Sequence, residues 1–303
     1  MSLQLNLSLD LDFTQQQYKM QTVLNILKST HKQFIIIDGV IGSGKTTLIK
    51  SIEDYINNNN NTNDNNNNTN DNNNNTNDNN NTNNNNTNDN NNNTTTSDAS
   101  KVKEVKEVKE VKEVKAVKAI KVKAIYEPVN MWTSTGVLQY FYEDIKNNCY
   151  EFQTYTYITR IQSVINEIYD NPDADIYILE RSIWTDRYIF MELLKNDVGD
   201  LRMKMYNQWC DMWALILPMR VDKWVFLDTS ITESLSRITK RNRESEDIIS
   251  IDYQTKLYDK HIEFYNTLKQ NGQPTITINN ILMNDDFINN KTILKNIINQ
   301  ILN

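Results

Sequence analysis

Cysteine is nearly missing from this 303-residue chain, and the two that occur, Cys149 and Cys210, form neither a metal-ligand spacing nor a disulfide framework. Both read as reduced thiols in a reducing compartment. Long apolar runs are also missing: no stretch reaches the roughly eighteen residues that would suggest a membrane-spanning helix. The N-terminus places Asp10 and Asp12 ahead of its first lysine. It lacks the basic start of a secretory signal and the arginine-rich character of a mitochondrial presequence, so a cytoplasmic protein is expected. Nor is there an excess of positive charge. The chain carries a net −7, and residues 101–123 hold nine lysines against four glutamates, leaving about −12 for the rest. An acidic body is a poor match for a phosphate backbone, so neither nucleic acid nor membrane is an expected partner. Glycine is scarce as well, and three of the six fall within eight consecutive positions.

From residue 57 to 93 every residue is Asn, Thr or Asp. Such a tract has no apolar surface to offset the entropy of ordering and should be disordered. The Val-Lys-Glu triplets over 101–115 have a period of three, which suits neither a strand nor a straight helix. Together they read as a low-complexity insert spanning 57–121, which leaves roughly 240 residues, enough for one sizeable domain. Leu3, Leu5, Leu7, Leu9, Leu11 and Phe13 alternate with polar residues, as in a strand or extended arm, within an N-terminal extension, 1–32. Helical patterns follow over 14–30, from Thr46 to about Ile56, through Tyr169, over 186–215, 231–242 and 252–269, and over 286–302. Short apolar strands are expected at 34–38, 122–126, 176–179, 223–227 and 275–278. Strands alternating with helices predict an α/β fold, a parallel sheet flanked by helices on both faces.

The glycine cluster is Gly39-Val40-Ile41-Gly42-Ser43-Gly44-Lys45-Thr46, between a strand and a helix. This is the context a phosphate-binding P-loop requires: glycines let backbone amides converge on phosphate oxygens, and the helix N-terminus favours the anion. Lys45 would reach the β- and γ-phosphates, and Thr46 would offer its hydroxyl to Mg²⁺. A P-loop alone says only that a nucleotide binds. Glu127 follows the second strand, where a carboxylate points into the crevice and could take a proton from an attacking hydroxyl; it could also be an ordinary helix-start acid before Pro128. Glu180 and Arg181 end the third strand. Glu180 is placed to hold Mg²⁺, and Arg181 needs a carboxylate or phosphate, for which a structural ion pair with Asp186 or another acid competes. Arg237 and Arg241 share a helix face, with Arg243 at its exit, suited either to phosphoryl charge or merely to solvent.

Taken in order, these residues resemble the deoxynucleoside kinase family, which includes deoxycytidine, deoxyguanosine and mitochondrial thymidine kinases. The resemblance covers 33–303 apart from the insert. It rests on the P-loop, Glu127-Pro-Val-x-x-Trp132, Phe152-Gln153-Thr-Tyr, Glu180-Arg-Ser-x-x-x-Asp186-Arg-Tyr-Ile-Phe190, the Arg237/Arg241/Arg243 segment, and a weaker match from Tyr253 to His261.

It implies a P-loop kinase fold that moves the ATP γ-phosphoryl group, with Mg²⁺, to a deoxynucleoside 5′-hydroxyl in nucleotide salvage. By the same resemblance Glu127 is the general base supported by Arg181, and Lys45, Arg241 and Arg243 act on the transferred group. The P-loop, with Thr47, Arg237 and a loop at Asp285, Asp286 and Phe287, holds ATP. Tyr142 and Glu246 hold the sugar 3′-hydroxyl, Gln153 reads the base, Trp132, Phe152 and Phe190 pack around it, and Tyr253 lines the same site. Arg160 and Asp186 resemble the deoxycytidine and deoxyguanosine kinases, which favours a purine deoxynucleoside or deoxycytidine over thymidine. A homodimer is implied, and helices such as Tyr206–Ile216, with Trp209 and Trp213, could form it or simply pack in the core.

One departure stands out. Lys45 and Glu127 lie 82 positions apart, where the family has few residues, and the insert accounts for the difference. A thymidylate-type monophosphate kinase and a non-catalytic nucleotide-binding scaffold are the competing readings.

Overall fold

The computed structural model describes residues 2–68, 119–243, 246, 249–279 and 290–302, with side chains described from Phe13 onward and not between 59 and 68. Most of the Asn tract, the Val-Lys-Glu run and the Asp285-Asp286-Phe287 loop therefore lie outside the described residues. Contacts divide the chain into a body, 1–61 with 120–303, and a second unit, 62–119. Apart from the end of α2, which runs into the second unit, only the body is described below.

Five parallel strands form the sheet: β1 (Gln33–Asp38), β2 (Val122–Ile125), β3 (Ile176–Glu180), β4 (Lys223–Asp228) and β5 (Thr275–Asn279), in the spatial order β2-β3-β1-β4-β5. Strand side chains alternate between faces, so β1 divides its apolar run between two cores. Phe34 and Ile36 join Tyr177, Leu179, Trp224 and Phe226 on one side. Ile35 and Ile37 join Ile176, Ile178, Val225 and Leu227 on the other. Both faces are buried, which is why these strands read as continuous apolar runs.

The helices are α1 (Ser2–Lys28), α2 (Lys45–Asn68), α3 (Val129–Ser134), α4 (Val137–Glu143), α5 (Ile145–Asp170), the single turn α6 (Ile183–Thr185), α7 (Lys195–Val198), α8 (Asp200–Ile216), α9 (Ile231–Arg241), α10 (Ile251–Gln270) and α11 (Lys291–Leu302), with a π-helical turn, Asp186–Met191, after α6. On the first face lie α1, through Val23 and Leu27, α5, through Tyr157, Ile161, Val164 and Ile168, and Tyr265 of α10. The second is covered by Leu48, Ile49 and Ile52 of α2 and by Leu294, Ile297, Ile298 and Ile301 of α11. Each such aliphatic side chain, fully buried, contributes on the order of 1.5–3 kcal/mol.

Four expectations are corrected. The alternating leucines at 3–11 belong to α1, not to a strand or arm. A helix satisfies its backbone groups within the segment itself and needs no partner strand. The helix predicted to end near Ile56 continues to Asn68, and Ile56 is its last buried residue among those whose side chains are described. The single helix predicted over 186–215 breaks into the π-helical turn, α7 and α8, and the last of these starts after Gly199 at φ 79°. The long helical stretch before Tyr169 likewise divides into α3, α4 and α5. Gly136, at φ 75°, separates the first two, and Asp144 caps α5 by accepting from Asn147 N–H.

Gly42 shows how tightly the P-loop sits on its neighbours. Its φ is +77°, and a Cβ there would lie 2.4 Å from the Ser234 carbonyl oxygen of α9. Gly42→Ala is therefore expected to lose about 2–4 kcal/mol of stability by combining backbone strain with overpacking. Thermal unfolding should show the loss as a drop of several degrees, and an unchanged midpoint would contradict this packing.

Candidate active site

The carboxyl ends of β1, β2 and β3 open into one cleft of about 1050 Å³. Ligands of open α/β sheets bind where neighbouring connections leave in opposite directions. Here β1 has β3 on one side and β4 on the other, and the chain leaves β1 through the P-loop.

Two rims face each other across the cleft. On one, Ile41, Gly42, Gly44, Lys45, Thr46 and Thr47 line the cavity with Arg237, Arg241 and Arg243. Gly39, Val40 and Ser43 form the back of the loop: the buried Lys45 ammonium donates to the Gly39 and Val40 carbonyls at 3.1 and 3.0 Å. Gln254 of α10 ties the loop to α9, donating to the Ile41 carbonyl and to Ser234 Oγ. Arg237 donates to the Ser43 carbonyl and to Glu233. Burial and the neighbouring Arg181 bring the Lys45 amine down to about 7, against the pull of Glu180, Glu127 and Asp38.

The other rim holds the cluster of charges. Arg160, buried in α5, forks onto both oxygens of Asp186 at 2.7 and 3.1 Å, donates to Glu127 Oε1 at 2.8 Å and reaches the Glu180 carbonyl at 3.0 Å. Although burial works against the charge, Asp186 and Glu127 raise the Arg160 pKa, so the guanidinium stays ionised. Asp186 is thus the partner of Arg160, and of the acids weighed for Arg181 it is another acid, not Asp186, that lies beside it. Arg181 instead lies 3.8 Å from Asp38 and 3.6 Å from Glu127, donates to the Gly39 carbonyl, and covers the Phe190 ring at 4.6 Å.

The backbone explains how adjacent residues of one strand end serve one cleft. Successive strand side chains should point to opposite faces. Arg181 adopts φ 63°, a left-handed conformation that costs a non-glycine residue on the order of 1–3 kcal/mol. The alternation is broken there, and both Glu180 and Arg181 line the cavity.

Glu127 would be raised by burial alone, but Arg181, Arg160 and Lys45 hold it at about 2, well below its usual value. It is a carboxylate throughout the working pH range. Thr46 Oγ1 donates to Glu180 Oε1 at 2.7 Å. A hydroxyl beside a carboxylate at a P-loop suits Mg²⁺, which takes hard oxygen ligands and few of them from protein. Among the described residues no group of three or more His, Cys, Asp or Glu could hold a metal by itself.

Further into the cavity, Phe152 stacks on Phe141 at 4.2 Å and meets Trp132 edge-on at 6.1 Å, while Trp132 Nε1 donates to Thr159 Oγ1 at 2.8 Å. Gln153, Tyr142, Phe190 and Tyr253 line the same space. Glu246 is held by Arg241 and by Arg243, the latter at 2.9 Å. The arginines at the end of α9 thus meet the carboxylate that the sequence reading placed at the sugar. Asp285, Asp286 and Phe287 lie outside the described residues.

Several contributors escaped the sequence reading. Asp38, fully buried at the end of β1, accepts from Gly39 N–H at 2.8 Å and Thr185 Oγ1 at 2.7 Å, and its Oδ1 lies 3.2 Å from His261 Nε2. Burial would raise its pKa, but His261, Arg181 and Thr185 outweigh that and hold the carboxyl well below the usual carboxylate range. An acid directly before the first P-loop glycine was the available signal. Phe141, beside Tyr142, and Lys50, Glu53, Tyr126, Asn130 and Lys240 also line the cleft.

Residues 110–303 match the family described as deoxynucleoside kinase, and the chain belongs to that family. The matched segment begins beyond the P-loop, which β1–β3 pairing and the Thr46–Glu180 hydrogen bond join to it. The chain is 29% identical over 165 residues to a probable deoxycytidine kinase of fowlpox virus, covering 54% of this chain and 68% of that one. It is 31% identical over 144 residues to a deoxyadenosine kinase of Dictyostelium discoideum, covering 47% and 56%. It is 28% identical over 179 residues to Homo sapiens deoxycytidine kinase, covering 54% and 67%. The matched part thus spans between about half and two thirds of these relatives. The fold is shared with a deoxyadenosine kinase from M. mycoides solved with bound dCTP, at a TM-score of 0.54 and 18% identity, covering 88% of this chain and 98% of that one. Among the described residues no helix is long and apolar enough to cross a membrane.

The lowered pKa of Lys45 has a measurable consequence. At pH 8 its amine is largely neutral, and a triphosphate placed beside it restores the charge, so binding should take up close to one proton. At pH 6 the amine already carries its proton and uptake should vanish. Calorimetric titration with ATP and Mg²⁺ in buffers of different ionisation enthalpy reads this directly, and buffer-independent heats at pH 8 would contradict it.

Proposed function

We propose that this protein transfers the γ-phosphoryl group of ATP to the 5′-hydroxyl of a deoxynucleoside, in nucleotide salvage. The observation that carries the reading is the meeting, in one cleft, of a P-loop with a carboxylate held ionised by two arginines. Glu127 accepts a hydrogen bond from the 5′-hydroxyl and orients it toward the γ-phosphorus. With its pKa near 2 it is a weak base, suited to receiving the proton late, after the bond to phosphorus has begun to form. Such a sequence agrees with a loose transition state in which positioning and charge stabilisation dominate. Lys45, Arg181, Arg241 and Arg243 supply cations for the transferred group. Mg²⁺, held by Thr46 and Glu180, would neutralise charge on the β- and γ-oxygens.

Gln153 reads the base edge within walls formed by Trp132, Phe152 and Phe190, while Tyr142 and Glu246 take the sugar 3′-hydroxyl and Tyr253 closes that side. The buried Arg160–Asp186 pair places a polar edge beside the base, which favours deoxyadenosine, deoxyguanosine or deoxycytidine over thymidine. Sequence similarity to kinases named for the first and last of these supports the preference. In steady-state assays Glu127→Gln is expected to retain nucleoside binding while kcat falls about a hundredfold or more. Near-normal turnover would remove Glu127 from this role. In the same assays kcat/KM for thymidine should be the lowest of the four natural deoxynucleosides, and a clear thymidine preference would sink the specificity reading.

We also propose a homodimer formed through α8. Leu201, Met205, Trp209, Met212, Leu215 and Ile216 are all exposed, Leu215 at 84%, and their spacing puts them in one stripe along the helix. Trp213, by contrast, packs against the core. A contiguous apolar stripe of this kind marks an interface. Sedimentation should show a dimer that Met212→Glu with Leu215→Glu converts to monomer, and a monomeric unaltered protein would contradict the assignment.

A further inference from the structure

The long insert raises a mechanical question at the site. Units of an α/β sheet usually join a helix to the next strand by about 2–6 residues, which holds the two in register. Here α2 ends at Asn68 and β2 starts at Val122, so residues 69–121 separate them. Closing so long a loop restrains its ends little, because the cost grows only logarithmically with length. Yet β2 leads directly into Glu127, and α2 begins with Lys45 and Thr46. β2 is also a poor anchor: it has four residues and lies at the sheet edge, paired with β3 alone.

Glu53 spans this gap. It lies about two turns beyond Thr46 on α2, and both of its oxygens are engaged by the far side of the insert. Oε1 accepts from the Ala124 backbone N–H at 3.3 Å, and Oε2 accepts from the Tyr126 hydroxyl at 3.2 Å. The two bonds bridge 71 and 73 residues of sequence. They grip the chain on its last approach to Glu127, one on an edge-strand amide and one on the residue immediately before the carboxylate. Burial and the neighbouring Glu53 raise the Tyr126 phenol, so it remains an O–H donor. Both bonds run to one carboxyl group, and at 3.3 and 3.2 Å both are long for their kind.

We propose that Glu53 is a positioning residue that, through Ala124 and Tyr126, sets the distance between the phosphate-binding end of α2 and Glu127, the restraint that a short α2–β2 connection would otherwise impose. It touches neither substrate in this account. The inference rests on the reading of Glu127 given above, so its test includes a readout that needs no catalysis.

Glu53→Gln keeps one acceptor oxygen and loses the second, whereas Tyr126→Phe removes one arm with no change of charge. Each is expected to lower kcat about tenfold, since displacement of a reacting group by a fraction of an ångström is costly, with KM for ATP within about twofold and the unfolding midpoint within about 2 °C of the unaltered protein. Because the two residues act as one clamp, the double variant should be no slower than the slower single one. Hydrogen exchange at the Ala124 amide should quicken in Glu53→Gln. Unchanged kcat, losses that multiply in the double variant, a loss that follows the unfolding midpoint, or unaltered exchange at Ala124 would each overturn the proposal. Should Glu53→Gln fail to fold, Tyr126→Phe carries the kinetic arm alone. If the unaltered protein phosphorylated no nucleoside, the function would fall, while the exchange result would still decide whether the clamp exists.

Discussion

Seven charged side chains gather where three strands end, and burial leaves them little water to answer to. Arg160, Arg181 and Lys45 face Asp38, Glu127, Glu180 and Asp186. Taking any one of these out of water costs several kcal/mol unless its neighbours compensate, so each fixes the place of the next. The Asp186 fork orients Arg160, Arg160 holds Glu127, and Glu127 with Asp38 brackets Arg181. Removing a member leaves its partner uncompensated. The cluster therefore behaves as a rigid block of charge presented to the cleft.

Strand pairing delivers that block to the P-loop. β1 and β3 are adjacent and in register from Gln33 and Ile176 to Ile37 and Glu180, so the residues that follow each strand emerge side by side. That adjacency lets Thr46 meet Glu180 and lets Arg181 reach the Gly39 carbonyl. The left-handed turn at Arg181 is the local distortion that the arrangement requires, and surrounding charge holds it in place. α5 completes the site from outside the sheet by carrying Phe152, Gln153 and Arg160 along one buried side of a single helix.

Much of this was legible from residues alone, and the parts that were not share a reason. The P-loop, Glu127, the Glu180-Arg181 strand end and the Arg-bearing end of α9 could be read because each is a local pattern of chemistry at the end of a periodic segment. The partners of Arg181 could not, because Asp38 lies 143 positions away and looks like one more residue closing an apolar strand. His261, behind Asp38, has the same history: its meaning comes from packing across 223 residues. α1 misled because alternation is a pattern of side chains, whereas residues 3–11 satisfy their backbone hydrogen bonds within a helix. Within 186–215, Gly199 marked a break that apolar periodicity concealed. Asp285-Asp286-Phe287, expected at the donor base, lies outside the described residues.

A P-loop facing a buried, arginine-held carboxylate has one central chemical claim: the acceptor is a hydroxyl that bears no phosphate. The most direct test gives the purified protein radiolabelled ATP and Mg²⁺ with each natural deoxynucleoside, and separately with each deoxynucleoside monophosphate. The account predicts label at the 5′ position of the deoxynucleosides and none on the monophosphates. Label transferred to monophosphates alone, or to neither set, would contradict it.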